Sequence, residues 1–433
     1  MKKLMKNCRH MFSAILLIIT TLLCGCSEIH NPFDKQAQNT AQPLAVVFVV
    51  ANTANTAAPN ITSETVQTIV SEAANSCGKL AAVSADGNPE LQFDDNMTLQ
   101  KNEQGASSLR LERRGQEKAE EETQKLSQIS ANDPEVDYCA AFSMASRLLS
   151  QVDGNKYRKH LVIIGSGIST AGLINFSDGL FYSEPHTILN YLRKNDAIPT
   201  FTDTNVTWVE CGDCEAPQET LTPSAVKKLK NIWKAYFEAT GADLTFDSTP
   251  PIQNENTKTN FPSVTTIDVP DALPMNIAEI KKDSESQIDV DEKPIDPIEI
   301  PEETLTFKPD SAEFADPEKV SSIIQPVADV LLENPTLHVL CLGEIAGDVR
   351  TESGRDLSQQ RADKIKNALV ELGVSADQIT SVGVGIDSPY HVANLAYSNA
   401  AAINRKITII DMRSDTATKI LEKASAETSS TEN

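Results

Sequence analysis

Cysteine is scarce in this 433-residue chain: eight in all, of which Cys77, Cys139, Cys211, Cys214 and Cys341 follow position 26. So odd and scattered a set excludes a disulfide framework. Basic residues are also short, 38 Lys and Arg against 61 Asp and Glu, for a net charge of −23. That balance excludes nucleic acid and anionic lipid headgroups as partners and suits a soluble body. An apolar run of about 20 residues, the length a spanning helix needs, is not reached by the uncharged stretch Met11 to Cys24 (MFSAILLIITTLLC). There is no internal repeat, and no HExxH or GxSxG surrounds His160 or His186, so both histidines read as structural.

What is present begins at the N-terminus. Lys2, Lys3, Lys6 and Arg9 precede the apolar stretch, and Gly25, Cys26 and Ser27 follow it. A basic start, a short apolar middle and small residues at the end lay out a signal peptide over residues 1–25. Leu23-Cys24-Gly25-Cys26 resembles the lipobox of bacterial lipoproteins, with Cys24 standing where Ala, Ser or Thr is usual. The resemblance implies cleavage before Cys26, acylation of its thiol and, as first partner, a membrane held through that lipid. It places the chain on an extracytoplasmic face: of the cell membrane, or of the outer membrane where there are two, which Ser27 favours over Asp. Each buried lipid CH₂ contributes about 0.8 kcal/mol, so two or three acyl chains hold durably. Cleavage would leave 408 residues and remove four basic residues and no acid, giving 34 against 61 and a charge of −27. That length suffices for two or three domains.

Composition divides the remainder. Residues 26–43 form a polar tether, 44–253 a first folded unit, 254–302 an acidic linker, 303–412 a second folded unit and 413–433 a polar tail, expected to fray. The linker scatters Pro262, Pro270, Pro274, Pro294, Pro297 and Pro301 among Asp, Glu, Ser and Thr. It has too little apolar area to offset chain entropy, and its prolines favour an extended path.

In the first unit strand and helix signals alternate. Leu44 to Val50 (LAVVFVV) and His160 to Ile164 (HLVII) are continuous apolar runs, as in buried parallel strands; Lys79 to Val83 and Val206 to Val209 are shorter ones. Helices are expected over Thr65 to Ala74, Asp137 to Leu149, His186 to Arg193 and Ser224 to Thr240, the last stopped by Gly241. The order implies an α/β fold with a doubly wound parallel sheet, whose ligands sit at the carboxyl ends of the strands. It resembles a von Willebrand factor A domain, as do the surroundings of Pro217-Gln218 and Ile232-Trp233. That family binds a divalent ion through DxSxS after the first strand and an Asp after the central one. Here Ala51 or Asn52 takes the first acidic position and Ser166 the second. Without carboxylates a hard cation loses its ligands, so a metal-free, cofactor-free version that contacts proteins is expected. Gly165 to Gly172 matches no phosphate loop and reads as turn glycines. Cys211-Gly-Asp-Cys214 has redox or zinc spacing but no second ligand pair, and reads as a local disulfide or two free thiols.

In the second unit Leu305-Thr306-Phe307, Thr336 to Leu342, Ile379 to Val384 and Lys406 to Ile410 read as strands. Pro317 to Glu333, with Pro326 expected to delay or kink it, and Asp356 to Leu372 read as helices. A βαβαββ α+β order follows, with a mixed sheet and both helices on one face. Leu357-Ser358-Gln359-Gln360-Arg361-Ala362, Gly383-Val384-Gly385 with Pro389, and Asn404-Arg405-Lys406-Ile407 resemble, in order and spacing, the OmpA-like C-terminal domain. That family grips peptidoglycan non-covalently, holding the carboxylates of its diamino acid with an Arg and its ammonium with an Asp. The resemblance implies Arg361 as the carboxylate fork, with Gly343 and Asn404 as further candidate contacts. The family's Asp falls on Ala346, its preceding Thr on Ile345 and a nearby Asn on Gly354. Asp348 and Glu344 are the nearest substitutes, and Asp363 and Asp387 are alternative partners that would make Arg361 structural. A non-enzymatic envelope protein binding peptidoglycan or envelope partners follows. The alternatives are a thiol-dependent envelope enzyme using Cys211 and Cys214 or a His160 or His186 base, and an adhesion or sensor module without wall binding.

Overall fold

The structure, a computed structural model, describes residues 42–251, 261–267, 269, 273–280, 293–347, 349–392 and 403–431. The leader, Cys26, nearly all of the tether and Asp348 lie outside the described residues. Among the described residues no helix is long and apolar enough to cross a membrane.

The first unit is built on strands β1 (Leu44–Val50), β2 (Lys79–Ser84), β3 (Leu91–Asn96), β4 (Arg158–Ile164), β5 (Thr204–Val209) and β6 (Asp243–Phe246). They form one sheet in the order β3-β2-β1-β4-β5-β6, parallel except for β3, which pairs antiparallel with β2. Five helices cover it: α1 (Glu64–Asn75), α2 (Ser108–Ser127), α3 (Tyr138–Ser150), α4 (Pro185–Lys194) and α5 (Pro223–Thr240). Val47 and Val49 of β1 pack with Phe142, Leu192 and Trp233 of α3, α4 and α5; Val46, Phe48 and Val50 pack with Val66, Ile69, Ala119 and Leu126 of α1 and α2. Burial on both faces is why the strand is apolar at every position. Helix starts are set by side chains that accept a backbone N–H: Ser63 from Val66, Asp137 from Ala140 and Thr222 from Ala225. Gly241, at φ +83°, closes α5.

Strands β3 and β6 and helix α2 carry little sequence signal. The strands are half exposed at the sheet edges, and α2 buries only Gly115, Ala119, Glu122 and Leu126 in twenty residues.

The second unit has strands β7 (Met275–Asn276), β8 (Ile298–Pro301), β9 (Val339–Glu344), β10 (Ile379–Gly385) and β11 (Lys406–Asp411). Their order is β10-β9-β11-β8-β7, mixed in direction as expected. Helices α6 (Pro317–Glu333) and α7 (Glu352–Glu371) share one face, where Ile324, Val327, Ala362 and Ile365 meet Val339, Cys341 and Ile407. Helix α6 runs through Pro326 without a break.

Three boundaries differ from the sequence reading. The first strand of the βαβαββ series is β8, not Leu305–Phe307, where only the bridge Phe307–Phe314 forms. β8 and β7 thus lie inside the span read as linker, because Ile298 and Ile300 find a buried register against Ile409 and Ile407 of β11. The tail is not frayed: α8 (Asp415–Thr431) lays Ala417 and Ile420 on Leu340, Leu342, Tyr390 and Ile410. Helices therefore cover both faces of the second sheet, not one. Two anchors a turn apart in a polar segment are easily overlooked, yet they suffice against a ready apolar face.

The units touch. Val392 of the second packs into the core of the first, Tyr182 meets the edge of Tyr390 at 5.4 Å, and His186 lies 3.5 Å from Glu303.

Candidate functional site

The carboxyl ends of the first sheet are closed by short polar contacts. Thr53 Oγ1 donates to Asn55 Oδ1 (2.8 Å), and Thr56 Oγ1 donates to the Ala51 carbonyl (2.9 Å). Ala51 and Ser166 are buried and Asn52 Nδ2 donates to the Ile129 carbonyl. Cys211 and Cys214 are free thiols rather than a disulfide. Burial pushes Cys211 far above the ordinary thiol range and Cys214 up to about 12, opposite to what an active thiolate needs. His160 is held by a contact between its Nε2 and Thr207 Oγ1 (2.9 Å), and burial drives its pKa down to about 4. His186 sits exposed beside Glu303. These groups are dispersed and assemble no nucleophile–base pair.

The second unit carries an open cleft of about 950 Å³. One wall is the N-terminal part of α7, from Thr351 to Arg361; the others are Glu302 to Asp310, Ile345 and Ala346 after β9, and Arg405 before β11. Thr351 caps α7 by accepting from the Gly354 N–H (3.0 Å), so the positive end of the helix opens on the cleft.

Arg361 is 7 % exposed and lies over the Phe307 ring, 5.0 Å from its centroid. Its Nε donates to the Ser311 carbonyl (3.0 Å). Among the described residues no carboxylate is within ion-pair distance of it, and its terminal nitrogens have no hydrogen-bond partner. Burial lowers its pKa, while the more distant Glu302 and Asp310 oppose that shift. Asp363 and Asp387 are not its partners. Asp363 accepts from Ser381 (2.6 Å) and Gln359 (3.0 Å); Asp387 pairs with Arg350 (2.6 Å) and Arg355 (3.5 Å). The fork is thus oriented by stacking and one backbone carbonyl, and left open toward the cleft.

Gly343 and Asn404 do not line this cleft, and the structure gives them other work. A Cβ on Gly343 would lie 2.0 Å from the Ser358 carbonyl and 3.2 Å from Ala362 Cβ, so the glycine lets β9 pass beneath α7. Gly383 does the same under Gln359 on β10. Asn404, fully buried, clamps Val392 from both sides: Nδ2 donates to its carbonyl and Oδ1 accepts its N–H, both at 2.8 Å. Of the LSxxRA residues, Ser358 Oγ accepts the Gly385 N–H (2.9 Å) and Gln359 Oε1 the Gly383 N–H (2.7 Å). Most of the motif fastens α7 to the sheet; Leu357, Gln360 and Arg361 face the cleft.

Glu344 does not stand in for the missing Asp at the open cleft. It is buried and accepts from Thr408 Oγ1 (2.8 Å), near the Lys406–Glu299 pair (2.9 Å), and burial raises its pKa. Arg405 was passed over in sequence although it adjoins Asn404. It lines the cleft with Nε held by Glu302 (2.6 Å), while Asp310 and Asp356 add carboxylates.

Residues 306–402 match the OmpA family, so this part of the chain is an OmpA-like domain. The outer membrane porin F of Pseudomonas fluorescens is 33% identical over 84 residues, which are 19% of this chain and 25% of the porin. The chain thus spans about a quarter of the length of that curated relative. Among solved structures it is similar to the peptidoglycan-associated lipoprotein of Burkholderia pseudomallei, at 26% identity and TM-score 0.22, covering 25% of this chain and 87% of that one. It is also similar to the cell wall anchor of the T6SS from Pseudomonas aeruginosa, at 24% identity and TM-score 0.22, covering 27% and 79%.

Proposed function

We propose that the chain is a non-enzymatic envelope lipoprotein that joins a membrane, through lipid on Cys26, to peptidoglycan, held non-covalently in the cleft of its OmpA-like unit. The observation that carries this reading is Arg361: a buried guanidinium, set over the Phe307 ring and oriented, yet without an ion-pair partner among the described residues, facing an open cleft. A planar fork so placed suits a carboxylate-bearing peptide stem. The match of residues 306–402 to the OmpA family and the likeness over 84 residues to an outer membrane porin support it. Ala346 removes the acid that would take the stem's ammonium, a loss of roughly 1.5–3 kcal/mol. Asp310 and Asp356 line the same cleft and supply negative charge there.

The first unit is read as a metal-free A-like domain that contacts protein partners. The sheet order and the helices on both faces support it, and Ala51, Asn52 and Ser166 put no carboxylate at the two positions where that family holds its cation.

Sedimentation of the chain from residue 27 onward with purified peptidoglycan tests the wall contact. Wild type should pellet with the wall and Arg361→Ala should stay in solution; a wild type that stays in solution refutes the reading. Cys26→Ala should leave an unacylated precursor in cells.

A further inference from the structure

The span read as a structureless linker does something more definite at its N-terminal end. Residues 263–267 (SVTTI) lie across the carboxyl ends of the first sheet, between the loop that leads into α3 and the loop that leads into α5. The Ser263 carbonyl accepts from the Glu135 N–H (3.2 Å), and the Thr265 N–H donates to Glu135 Oε2 (3.0 Å). Ile267 is held on both backbone groups by one side chain: its N–H donates to Gln218 Oε1 (2.7 Å) and its carbonyl accepts from Gln218 Nε2 (2.9 Å). Gln218 is buried, so its amide serves this segment and not solvent. The bonded residues are 263, 265 and 267, every second one, as along the edge of an extended strand.

Side-chain selection is sparse. Val264 and Ile267 are buried in the first core, whereas Ser263, Thr265 and Thr266 are exposed. The one side chain recognised by a polar group is Thr265, whose Oγ1 donates to Glu135 Oε1 (2.8 Å). The seat therefore reads an apolar residue, a hydroxyl residue, any residue and a second apolar residue, on an extended backbone. Nothing in that pattern is peculiar to this chain's own segment.

We infer that the carboxyl-end face of the first unit is a binding site for an extended peptide of the pattern apolar-Ser/Thr-x-apolar, occupied in cis by Val264–Ile267. Glu135 and Gln218 are its backbone-reading residues. A partner protein engages by offering such a segment in place of the chain's own. The tethered segment competes at a high effective concentration, so a free peptide binds the intact chain weakly and binds fully once the cis segment is spoiled. The inference deepens the reading of the first unit as a protein-contact domain, and the two fail separately: a partner bound on another face would uphold that reading and not this one.

The probe is a labelled peptide of residues 261–269 (FPSVTTIDV), titrated by fluorescence anisotropy against the chain from residue 27 onward. Val264→Asp with Ile267→Asp should bind it at least about tenfold more tightly than wild type. Adding Gln218→Leu should remove about tenfold again, because two backbone groups of the peptide lose their partners. Equal affinity of wild type and the double variant, or no effect of Gln218→Leu, overturns the proposal. Should the double variant not fold, hydrogen exchange of wild type decides. The Ile267 amide should be protected and released by Gln218→Leu while Val162 in β4 stays slow. Exchange of Ile267 at the free-peptide rate in wild type overturns it.

Discussion

A Cβ on Gly354 would stand 2.6 Å from Cδ1 of Ile345. The two positions are a matched pair: the missing side chain at the start of α7 leaves the room that the branched one after β9 fills. Both depart from the OmpA pattern at the cleft, and a side chain cannot be restored at Gly354 without a clash while Ile345 stays in place.

Gly354→Asn should therefore destabilise the chain by roughly 1–3 kcal/mol through overpacking. Ile345→Thr in the same chain should recover most of that loss. Urea denaturation of the two single variants and the double gives the coupling; strict additivity would show that the positions do not share space.

Returning the acid tests what the cleft has lost. Ile345→Thr with Ala346→Asp should raise affinity for peptidoglycan about tenfold, the worth of one charge-assisted contact. Quantitative sedimentation over a range of wall concentrations reads it. An unchanged affinity would mean that Asp310 or Asp356 already does that work, and Asp310→Asn and Asp356→Asn would then identify which.

Asn404→Leu leaves the N–H and the carbonyl of Val392 without partners, at roughly 1–3 kcal/mol for each buried group. Thermal unfolding should shift down. Because Val392 sits in the core of the first unit, both units should be weakened together, visible as one transition moving rather than two separating.

His160 is kept neutral by burial, with its pKa near 4 against the ordinary 6.5. Its folded value is depressed, so the stability held by the neutral ring is complete above about pH 6.5 and is lost as the pH falls toward 4. Melting temperature against pH should show that decline, and His160→Gln should flatten it. A decline of unchanged size would assign it to other groups.

The thiols make a simpler test. With Cys214 near 12 and Cys211 higher still, iodoacetamide at about neutral pH should leave both unmodified in the native chain and alkylate both in urea. Rapid native labelling of Cys214 would revive a thiol-based activity.

What the sequence made legible follows burial. Strands β1 and β4 are sealed on both faces, and α5 has a striped apolar side and a glycine stop, so each announced itself. Helix α2 is half charged because it caps the outside of α1 and β3, and α8 rests on two small anchors; local pattern under-reports both. The strap at 263–267 was invisible because its hold is mostly on backbone groups, which leave no composition signature. At the cleft, motif spacing found Arg361 but could not separate it from Gly343 and Asn404. Those two recur in the same motifs for reasons of close packing and loop clamping, and only coordinates tell a residue that meets a ligand from one that lets a helix lie down.

The place of β1 has a mechanical consequence. It is an inner strand, paired in parallel with β2 on one side and β4 on the other, and it is the first element after residue 43. A chain fastened ahead of that point and pulled from its far unit would be loaded along the axis of β1. Both of its ladders would then bear the force in shear, sharing it across all their bonds at once instead of opening one after another like a zip. Such a strand makes a strong point of attachment, and softening it with a glycine at Val47 should lower the unfolding force in single-molecule pulling far more than the same change in edge strand β6.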